Sequence, residues 1–437
     1  MGGEARGLRS RADAHRSPAA QRPGALGLHL LNALRIIADD LTGACDIGAE
    51  MLPWPAGVVV QPAAGGSGPV GALGVRNTQS RTLPPSEAAS RVSGVLADLR
   101  TGWSGIVLKK IDTGLRGPLG AEIDAAMDVL GIGEAFVLPA IPEVGRTTEQ
   151  GRQMIGGVPV HRTAFARDPQ NPIRDASVPA AVEATSRRRG AVIGLGAIRG
   201  RDDFDDALEG ARAGGAAIFV CDAETDADLE RAVRRLLSRP RPLLLVGSTG
   251  LARALRRVLG PENGGRPRGG VSFPAGSGVL IVAGSAHPAT RAQVEYATAR
   301  RLIEPLVVDD PGAADAAGVV AGGLLETGRA VALVAPAELA PGGSTRVLAA
   351  LRAATLAALA RTRPGGVAII GGETAYHVLD GLGHPMLAVE SRLCPLVVRT
   401  RLMTGPYAGL PLVTKGGSAG APDLLAAIVR QLGRGVR

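Results

Sequence analysis

The sequence predicts an α/β protein of two domains, each built on a mostly parallel sheet flanked by helices. Three observations support this fold class. The chain has 437 residues, enough for two or three domains of ordinary size. From residue 34 onward, short β-rich apolar runs alternate with amphipathic helical patterns, as in parallel α/β folds. A stretch dense in glycine and proline, residues 261–277, interrupts the alternation, which then starts again.

The first domain is assigned to residues 34–260. Its strand candidates are 35–38, 58–60, 70–75, 105–110, 135–138, 191–195, 217–220 and 242–246. The clearest helix is 117–131, where Pro118 suits a first turn. Its apolar residues recur at the spacing of one helix face, which predicts a buried stripe.

The second domain is assigned to residues 278–437, after a linker over 261–277. Its strand candidates are 279–283, 304–308, 330–334, 366–370 and 411–415, with helices from about 288 and over 344–361, 373–382 and 421–432. Residues 1–33 are rich in arginine and lack a long apolar run. They are interpreted as a disordered N-terminal extension or an over-called start, with a transit peptide as the alternative.

Composition excludes several classes of protein. No apolar run approaches the roughly 20 residues that span a bilayer, so no membrane segment is expected. The net charge is +9, yet only three basic residues are lysines and aromatic residues make up 2% of the chain, which argues against nucleic-acid binding. Only the pI of about 10.3 supports that alternative. Three widely separated cysteines indicate no disulfide framework, and a cytoplasmic location is expected.

The first polar motif is Asp39-Asp40-Leu41-Thr42, directly after strand 35–38. Groups at the carboxyl ends of parallel strands face the ligand crevice, so these carboxylates can bind substrate hydroxyls or help hold a magnesium ion. The alternative is a helix N-cap, for which Asp and Thr are well suited.

The second motif, Lys109 to Pro118, follows strand 105–110. Alternation along the strand places Lys110 and Asp112 on one side, and Arg116 lies near a helix N-terminus. Together they could bind a carboxylate or phosphate. A solvated cluster of ion pairs is the alternative interpretation.

The third motif is the loop 139–148, which carries Arg146 and two threonines and precedes a short hairpin-like insert. It could form the wall of a subsite, although an ordinary surface loop is the alternative. The six histidines include no pair at metal-ligand spacing, so no metal site made by protein alone is expected.

The fourth set comprises three glycine-rich turns that each follow a strand of the second domain and lead into a helix. Glycines let the backbone approach phosphate and helix N-terminal amides bind it, so three such turns at one sheet edge would hold a polyphosphate. Taken singly, each is an ordinary βα turn. The turns provide eight candidate residues: Ser285, Gly371, Gly372, Glu373, Thr374, Lys415, Gly416 and Gly417.

Taken together, these motifs resemble those of the four-carbon acid sugar kinases, and the resemblance covers nearly the whole chain. The matching segments are ADDLTGACD at 38–46, SRTLPPSEA at 80–88, KKIDTGLRGPLGAEIDA at 109–125, PAIPEVGRTTEQG at 139–151, GSAHPAT at 284–290, GGETA at 371–375 and TKGGSAG at 414–420. The chain departs from the family pattern at Thr113, Gly114, Pro118, Gly416 and Ala419.

The resemblance implies an ATP-dependent kinase that phosphorylates a hydroxyl of threonate, erythronate or a 3-oxo relative, with the active site in the cleft between a sugar-acid domain and a nucleotide domain. Magnesium would bridge the phosphates, and no nucleic acid or membrane partner is implied. A homodimer is compatible with the sequence. The alternatives are an isomerase or lyase of sugar acids and a non-catalytic sensor that binds the acid and the nucleotide.

Roles follow for the N-terminal candidates. Lys110 and Arg116 would hold the substrate carboxylate or the transferred phosphoryl group. Asp112 would be the general base, with Asp40 as the other candidate. The expected substrate-binding residues are Asp39, Asp40, Thr42, Arg81 and Arg146.

Overall fold

The structure is a computed structural model. It describes residues 33–433 except for 53, 55–56, 63–71, 100–102, 169–170, 261–276 and 339–342. The predicted N-terminal extension and almost all of the predicted linker lie outside the described residues.

The observed elements agree closely with the predicted alternation. The strands are β1 (Leu34–Ala38), β2 (Val58–Gln61), β3 (Leu73–Asn77), β4 (Ile106–Lys110), β5 (Ala135–Leu138), β6 (Arg146–Glu149), β7 (Arg152–Ile155), β8 (Val158–Pro159), β9 (Arg189–Ile193), β10 (Ala216–Cys221), β11 (Leu243–Gly247), β12 (Ser277–Ala283), β13 (Glu304–Val307), β14 (Ala330–Val334), β15 (Pro364–Ile370), β16 (Leu387–Cys394), β17 (Val397–Leu402) and β18 (Pro411–Lys415). The α-helices are α1 (Leu41–Glu50), α2 (Pro85–Val95), α3 (Leu119–Leu130), α4 (Val178–Glu183), α5 (Leu195–Ile198), α6 (Phe204–Ala213), α7 (Asp226–Leu236), α8 (Thr249–Leu259), α9 (Pro288–Ala299), α10 (Pro311–Glu326), α11 (Gly343–Arg361), α12 (Gly372–Gly381) and α13 (Leu424–Gly433).

The α/β class with mostly parallel strands is confirmed, but the strands do not form one sheet per domain. Within the described part of the chain, 15 strands form one sheet in the order β13-β14-β12-β15-β18-β17-β16-β2-β3-β1-β4-β11-β5-β10-β9. The hairpin β16–β17, which sequence reasoning did not predict, joins the two parallel sets. It pairs antiparallel with β18 on one side and β2 on the other.

Strand register brings the predicted motifs together within each parallel set. In the N-terminal half, Ala38 of β1 pairs with Lys110 of β4, which pairs with Gly247 of β11. In the C-terminal half, Ala283 of β12 pairs with Ile370 of β15, which pairs with Lys415 of β18. The polar segments that follow these strands therefore lie side by side at the carboxyl edge of each set, where parallel α/β sheets bind ligands.

Helix α3 shows how sequence periodicity becomes packing. Leu119, Ile123 and Met127 are buried against the sheet, as the predicted stripe requires. The helix ends at Gly131, whose φ of 64° is the left-handed conformation that glycine adopts without strain. The helix that follows Lys110 is thus firmly anchored.

A small antiparallel sheet, β6-β7-β8, projects from the N-terminal half where the hairpin-like insert is predicted. Its first strand starts at Arg146, and a short 3-10 turn after it carries Phe165. Among the helices of the described ranges, none combines the length and the apolar character required to cross a membrane.

Candidate active site

A cavity of about 500 Å³ lies between the two halves of the chain. Its N-terminal wall comes from the segments after β1 and β4 and from the small sheet, and its C-terminal wall comes from the three glycine-rich turns. The predicted residues that line it are Asp40, Thr42, Arg81, Lys110, Asp112, Arg116, Arg146, Ser285, Gly371, Gly372, Glu373, Thr374, Gly416 and Gly417.

Asp39 and Asp40 are both fixed by Arg81. The guanidinium of Arg81 donates from Nε and Nη2 to the two oxygens of Asp39, at 2.9 and 2.8 Å, and from Nη2 to Asp40. Burial alone would raise the pKa of Asp39, but Arg81 together with Lys109 and Lys110 outweighs it, and the pKa lies below its usual value. Asp39 is fully buried behind the cavity, so it holds Arg81 in position and does not line the ligand space.

Asp40 is also the N-cap of α1. Its Oδ1 accepts a hydrogen bond from the amide of Gly43 at 3.0 Å, and its Oδ2 accepts one from the Thr42 hydroxyl at 2.6 Å. The capping interpretation is therefore correct, and it holds together with a place in the cavity wall.

Alternation along β4 separates the two neighbouring lysines. Lys109 points away from the cavity and forms a fully buried ion pair with Glu122 at 3.1 Å. Lys110 points into the cavity, where its Nζ donates to the carbonyl oxygen of Ile111 at 2.8 Å. One lysine thus supports the fold beneath the site, and the other is available to a ligand.

Asp112 and Arg116 form an ion pair at the start of the loop before α3. Arg116 Nε lies 2.6 Å from Asp112 Oδ2, and Arg116 Nη1 lies 2.9 Å from Asp168 Oδ2. Burial opposes ionisation of Asp112, but Arg116 and Arg81 outweigh it, so its pKa is well below the usual range. A carboxylate held in this way is a weak proton acceptor, which does not favour the sequence-based prediction that Asp112 is the general base.

Arg146 closes the cavity from the side of the small sheet. It donates hydrogen bonds to the hydroxyls of Thr113 and Ser418, and its guanidinium lies 5.8 Å from the ring centre of Phe165. The same ring faces Arg116 at 5.0 Å. The aromatic ring therefore supports both guanidinium groups by cation–π contact.

Three buried cations have no carboxylate partner in ion-pair contact within the described ranges. They are Lys110, Arg146 and Lys415, with exposed fractions of 5%, 8% and 1%. Burial lowers the pKa of Lys415 to about 8, and burial also lowers the pKa of Arg146. Buried charges without a counter-ion are costly, so an anionic ligand would stabilise this region.

The C-terminal wall is built from backbone and hydroxyl groups. Gly371 has a φ of 110°, a conformation that side chains with a Cβ rarely adopt. A Cβ on Gly372 would overlap Oδ2 of Asp40, so α12 begins in direct contact with the N-terminal wall. Lys415 lies beneath this wall, donating to the carbonyl oxygens of Gly416 and Gly417, and does not line the cavity.

Glu373 links the halves at the start of α12. Its Oε1 accepts a hydrogen bond from Gln79 Nε2 at 3.0 Å. Burial and then the charge of Asp40 raise its pKa. The charges of Arg81 and Arg116 and the hydrogen bond from Gln79 act in the opposite direction, and a further cation nearby would also stabilise the ionised form.

The cavity is also lined by residues outside the sequence-predicted candidates, among them the ionisable or aromatic residues Asp46, Phe165, Asp168 and His287. All four lie in or beside the motifs already singled out, so the signal was present. Position along a strand does not reveal which loop residues turn inward, which is why the loop and helix positions were missed.

Comparison with known proteins supports the resemblance. A family model described as a sugar-binding N-terminal domain matches residues 34–255, and one described as a nucleotide-binding C-terminal domain matches residues 280–425. A solved structure of a Salmonella typhimurium LT2 protein shares the fold, with a TM-score of 0.72 at 23% identity, and covers 91% of this chain and 99% of that one.

Curated relatives are similar over most of their length. D-threonate kinase of Salmonella typhimurium is 31% identical over 89% of this chain and 96% of its own. D-erythronate kinase of Heliobacterium modesticaldum is 30% identical over 81% of this chain and 86% of its own. The 3-oxo-tetronate kinase of Methylobacterium radiotolerans is 31% identical over 90% of this chain and 97% of its own. Because the sugar-binding domain model matches half of the chain and these relatives are similar over most of their length, the chain belongs to the four-carbon acid sugar kinase family.

Proposed function

We propose that this protein transfers the γ-phosphoryl group of ATP to a hydroxyl of a four-carbon sugar acid. The observation that carries the proposal is the set of buried cations Lys110, Arg146 and Lys415, which lack carboxylate partners among the described residues and lie in or beneath the cavity wall. Both substrates are anions, and phosphoryl transfer depends mainly on positioning and charge stabilisation.

The N-terminal wall suits a hydroxylated acid. Lys110 and Arg116 would bind the carboxylate or the transferred phosphoryl group, and Arg146 would close over the same anion. Asp40 and the hydroxyl oxygen of Thr42, whose own proton is donated to Asp40, would accept hydrogen bonds from substrate hydroxyls. Because Asp39 holds Arg81 from behind, Arg81 would present the same donors to each substrate molecule without further ordering.

The C-terminal wall suits the triphosphate. Ser285, Gly371, Gly372, Thr374, Gly416 and Gly417 follow three adjacent strands whose carboxyl ends align in register. We infer that their amides and hydroxyls bind the phosphates at the start of α9 and α12, with Lys415 adding positive charge beneath them. On this basis residues 278–433 would hold the nucleotide and residues 34–260 the acid.

Magnesium fits the site when it is bound with the nucleotide. Within the described ranges no group of three side chains could hold a metal ion alone. Mg²⁺ in phosphoryl transfer is commonly held by one or two carboxylates together with phosphates and water, and Glu373 provides a carboxylate in the cavity wall. The ion would neutralise charge that develops on the phosphates.

The test is acid-dependent ADP release with Mg²⁺ and ATP, using both threonates, both erythronates, their 3-oxo forms and glycerate as a shorter control. Turnover with one or more four-carbon acids is the expected result. ATP binding without product for any acid would favour a sensor instead. Conversion of an acid without ATP would favour an isomerase or lyase.

A further inference from the structure

Asp46 is a buried carboxylate in the cavity wall that the roles assigned above leave unused. It lies on α1, six residues after Asp40, and its side chain is only 4% exposed. Its Oδ2 is buried and has no hydrogen-bond partner within the described residues. Buried oxygens are almost always hydrogen-bonded, so this one requires a partner that the described residues do not provide.

The two carboxylates that the sequence suggested as bases are already occupied. Both oxygens of Asp40 accept hydrogen bonds, from Gly43 and Thr42. Both oxygens of Asp112 are held by Arg116, at 2.6 and 3.2 Å. Protonation of either carboxylate would weaken these bonds, whereas Asp46 has one oxygen that accepts no bond from the described residues and is left for a donor from the substrate.

We propose that Asp46 is the general base of the phosphoryl transfer, an assignment that rests on the proposed function. Its carboxylate accepts the proton of the reacting substrate hydroxyl. The hydroxyl oxygen forms the new bond to the γ-phosphorus, and the bond from that phosphorus to the bridging oxygen breaks. ADP leaves with the electron pair, and the proton remains on Asp46 until solvent removes it.

The surroundings of Asp46 suit a base that works near neutral pH. Burial raises its pKa to about 6, Lys110 of β4 opposes this shift, and Glu50 on its own helix adds to it. The side chain of Arg392 and the amide of Leu396, both from the β16–β17 hairpin, favour the ionised form. A base is most effective when its pKa lies close to the working pH.

Three more ionisable groups respond to the charge of Asp46. They are Arg146 on β6, across the cavity, Cys45 on α1 and Cys394 at the end of β16. Arg146 stays protonated throughout the neutral range. Burial raises the pKa of both thiols, that of Cys45 to about 12, so both stay neutral there. Near pH 6, therefore, Asp46 is the member of this group that changes its charge.

The first experiment compares Asp46→Asn with the unaltered protein in the ADP-release assay. The substitution keeps the shape of the side chain and removes the base. We expect kcat to fall on the order of 10²- to 10⁴-fold while KM for the acid changes little. A variant that retains kcat within about threefold would overturn the assignment.

Asp222→Asn is the matched control. Asp222 is also buried, with a pKa raised to about 6 by burial, but its oxygens accept hydrogen bonds from the amides of Gln150 and Gly151 at 2.9 and 2.8 Å. It does not line the cavity. Its variant should keep kcat, and an equal loss in both variants would overturn the proposal, because it would show a general response to losing a buried carboxylate.

A second measurement, the pH dependence of kcat, begins with the unaltered protein. The kcat of the unaltered protein should fall as pH decreases through about 6, because Asp46 becomes protonated, and Asp46→Asn should lack this limb. Absence of the limb, or its loss in Asp112→Asn instead, would overturn the assignment. Absence of any turnover in the unaltered protein would overturn the proposed function as well, which separates the two failures.

Discussion

The two walls of the cavity handle charge in opposite ways. On the N-terminal wall, Asp39 and Asp40 share Arg81, and Asp112 and Asp168 share Arg116, so these four carboxylates are paired before any ligand binds. The C-terminal wall consists largely of glycines and hydroxyls at strand ends. Ion pairs therefore hold the carboxylates of one wall in place, whereas the other wall offers a backbone that phosphates can approach closely.

The largest effect is expected when a cation that is paired with buried carboxylates is removed. Arg81→Met would leave Asp39 and Asp40 buried without their shared cation, and it should lower the free energy of unfolding by about 3–5 kcal/mol. Urea denaturation measures this directly. The control is Arg329→Met, which removes the exposed pair with Glu304 and should change stability little. Equal losses would mean that burial of the Arg81 pair is unimportant.

Removing Arg146, which has no carboxylate partner among the described residues, should affect activity more than stability, unlike removing the paired Arg116. Arg146→Met should lower kcat/KM on the order of 10²- to 10³-fold, because it removes charge stabilisation from the anion. Its melting temperature should change less than that of Arg116→Met, which deprives Asp112 and Asp168 of their partner. Steady-state kinetics and thermal melts of both variants test this. Similar destabilisation in the two would show that Arg146 is as well compensated as Arg116.

The contact between the walls can be tested at Gly372. An alanine there would place its methyl group against Asp40 and Thr42, and relief of the overlap should cost about 1–3 kcal/mol, expressed as weaker nucleotide and acid binding. Isothermal titration calorimetry with ADP and the measured KM for the acid report the effect. Gly94→Ala is the control, since it lies in α2 with no atom near the added methyl group. Unchanged binding in Gly372→Ala would mean that the walls separate freely.

The smallest expected effect concerns the lysine beneath the C-terminal wall. Burial lowers the pKa of Lys415 to about 8, so it loses its proton as pH rises through that value. ADP affinity should therefore fall about tenfold between pH 7 and pH 9. Lys415→Arg stays charged and should show a weaker dependence. The same slope in both proteins would assign the titration to another group.

Much of the N-terminal wall could be predicted because alternation along a strand determines to which face of the sheet each side chain points. The side-chain period of two placed Lys110 and Asp112 on the ligand side, and the structure confirms that both line the cavity. Register then aligned the glycine turns after β12, β15 and β18. These features follow from local geometry, which a single sequence reveals.

Other features depend on contacts between distant segments. The sequence around Asp112 does not predict that Arg116 binds both of its carboxylate oxygens. The sequence around Asp46 does not predict a carboxylate oxygen without a hydrogen-bond partner among the described residues. The β16–β17 hairpin was missed because polar and charged residues interrupt its apolar pattern, as in Glu390, Arg399 and Arg401. In the structure Glu390 forms an ion pair with each of the two arginines across the hairpin.

The single sheet is continuous across the two halves through a short ladder, in which Leu387 pairs with Val60 and Ala388 with Val59. If the backbone were cut between residues 260 and 277, each fragment would expose one unsatisfied strand edge, β2 or β16. Exposed edges act as templates for pairing. The β2–β16 ladder is therefore where two separately made fragments would associate. They would form the cavity again only by restoring this ladder.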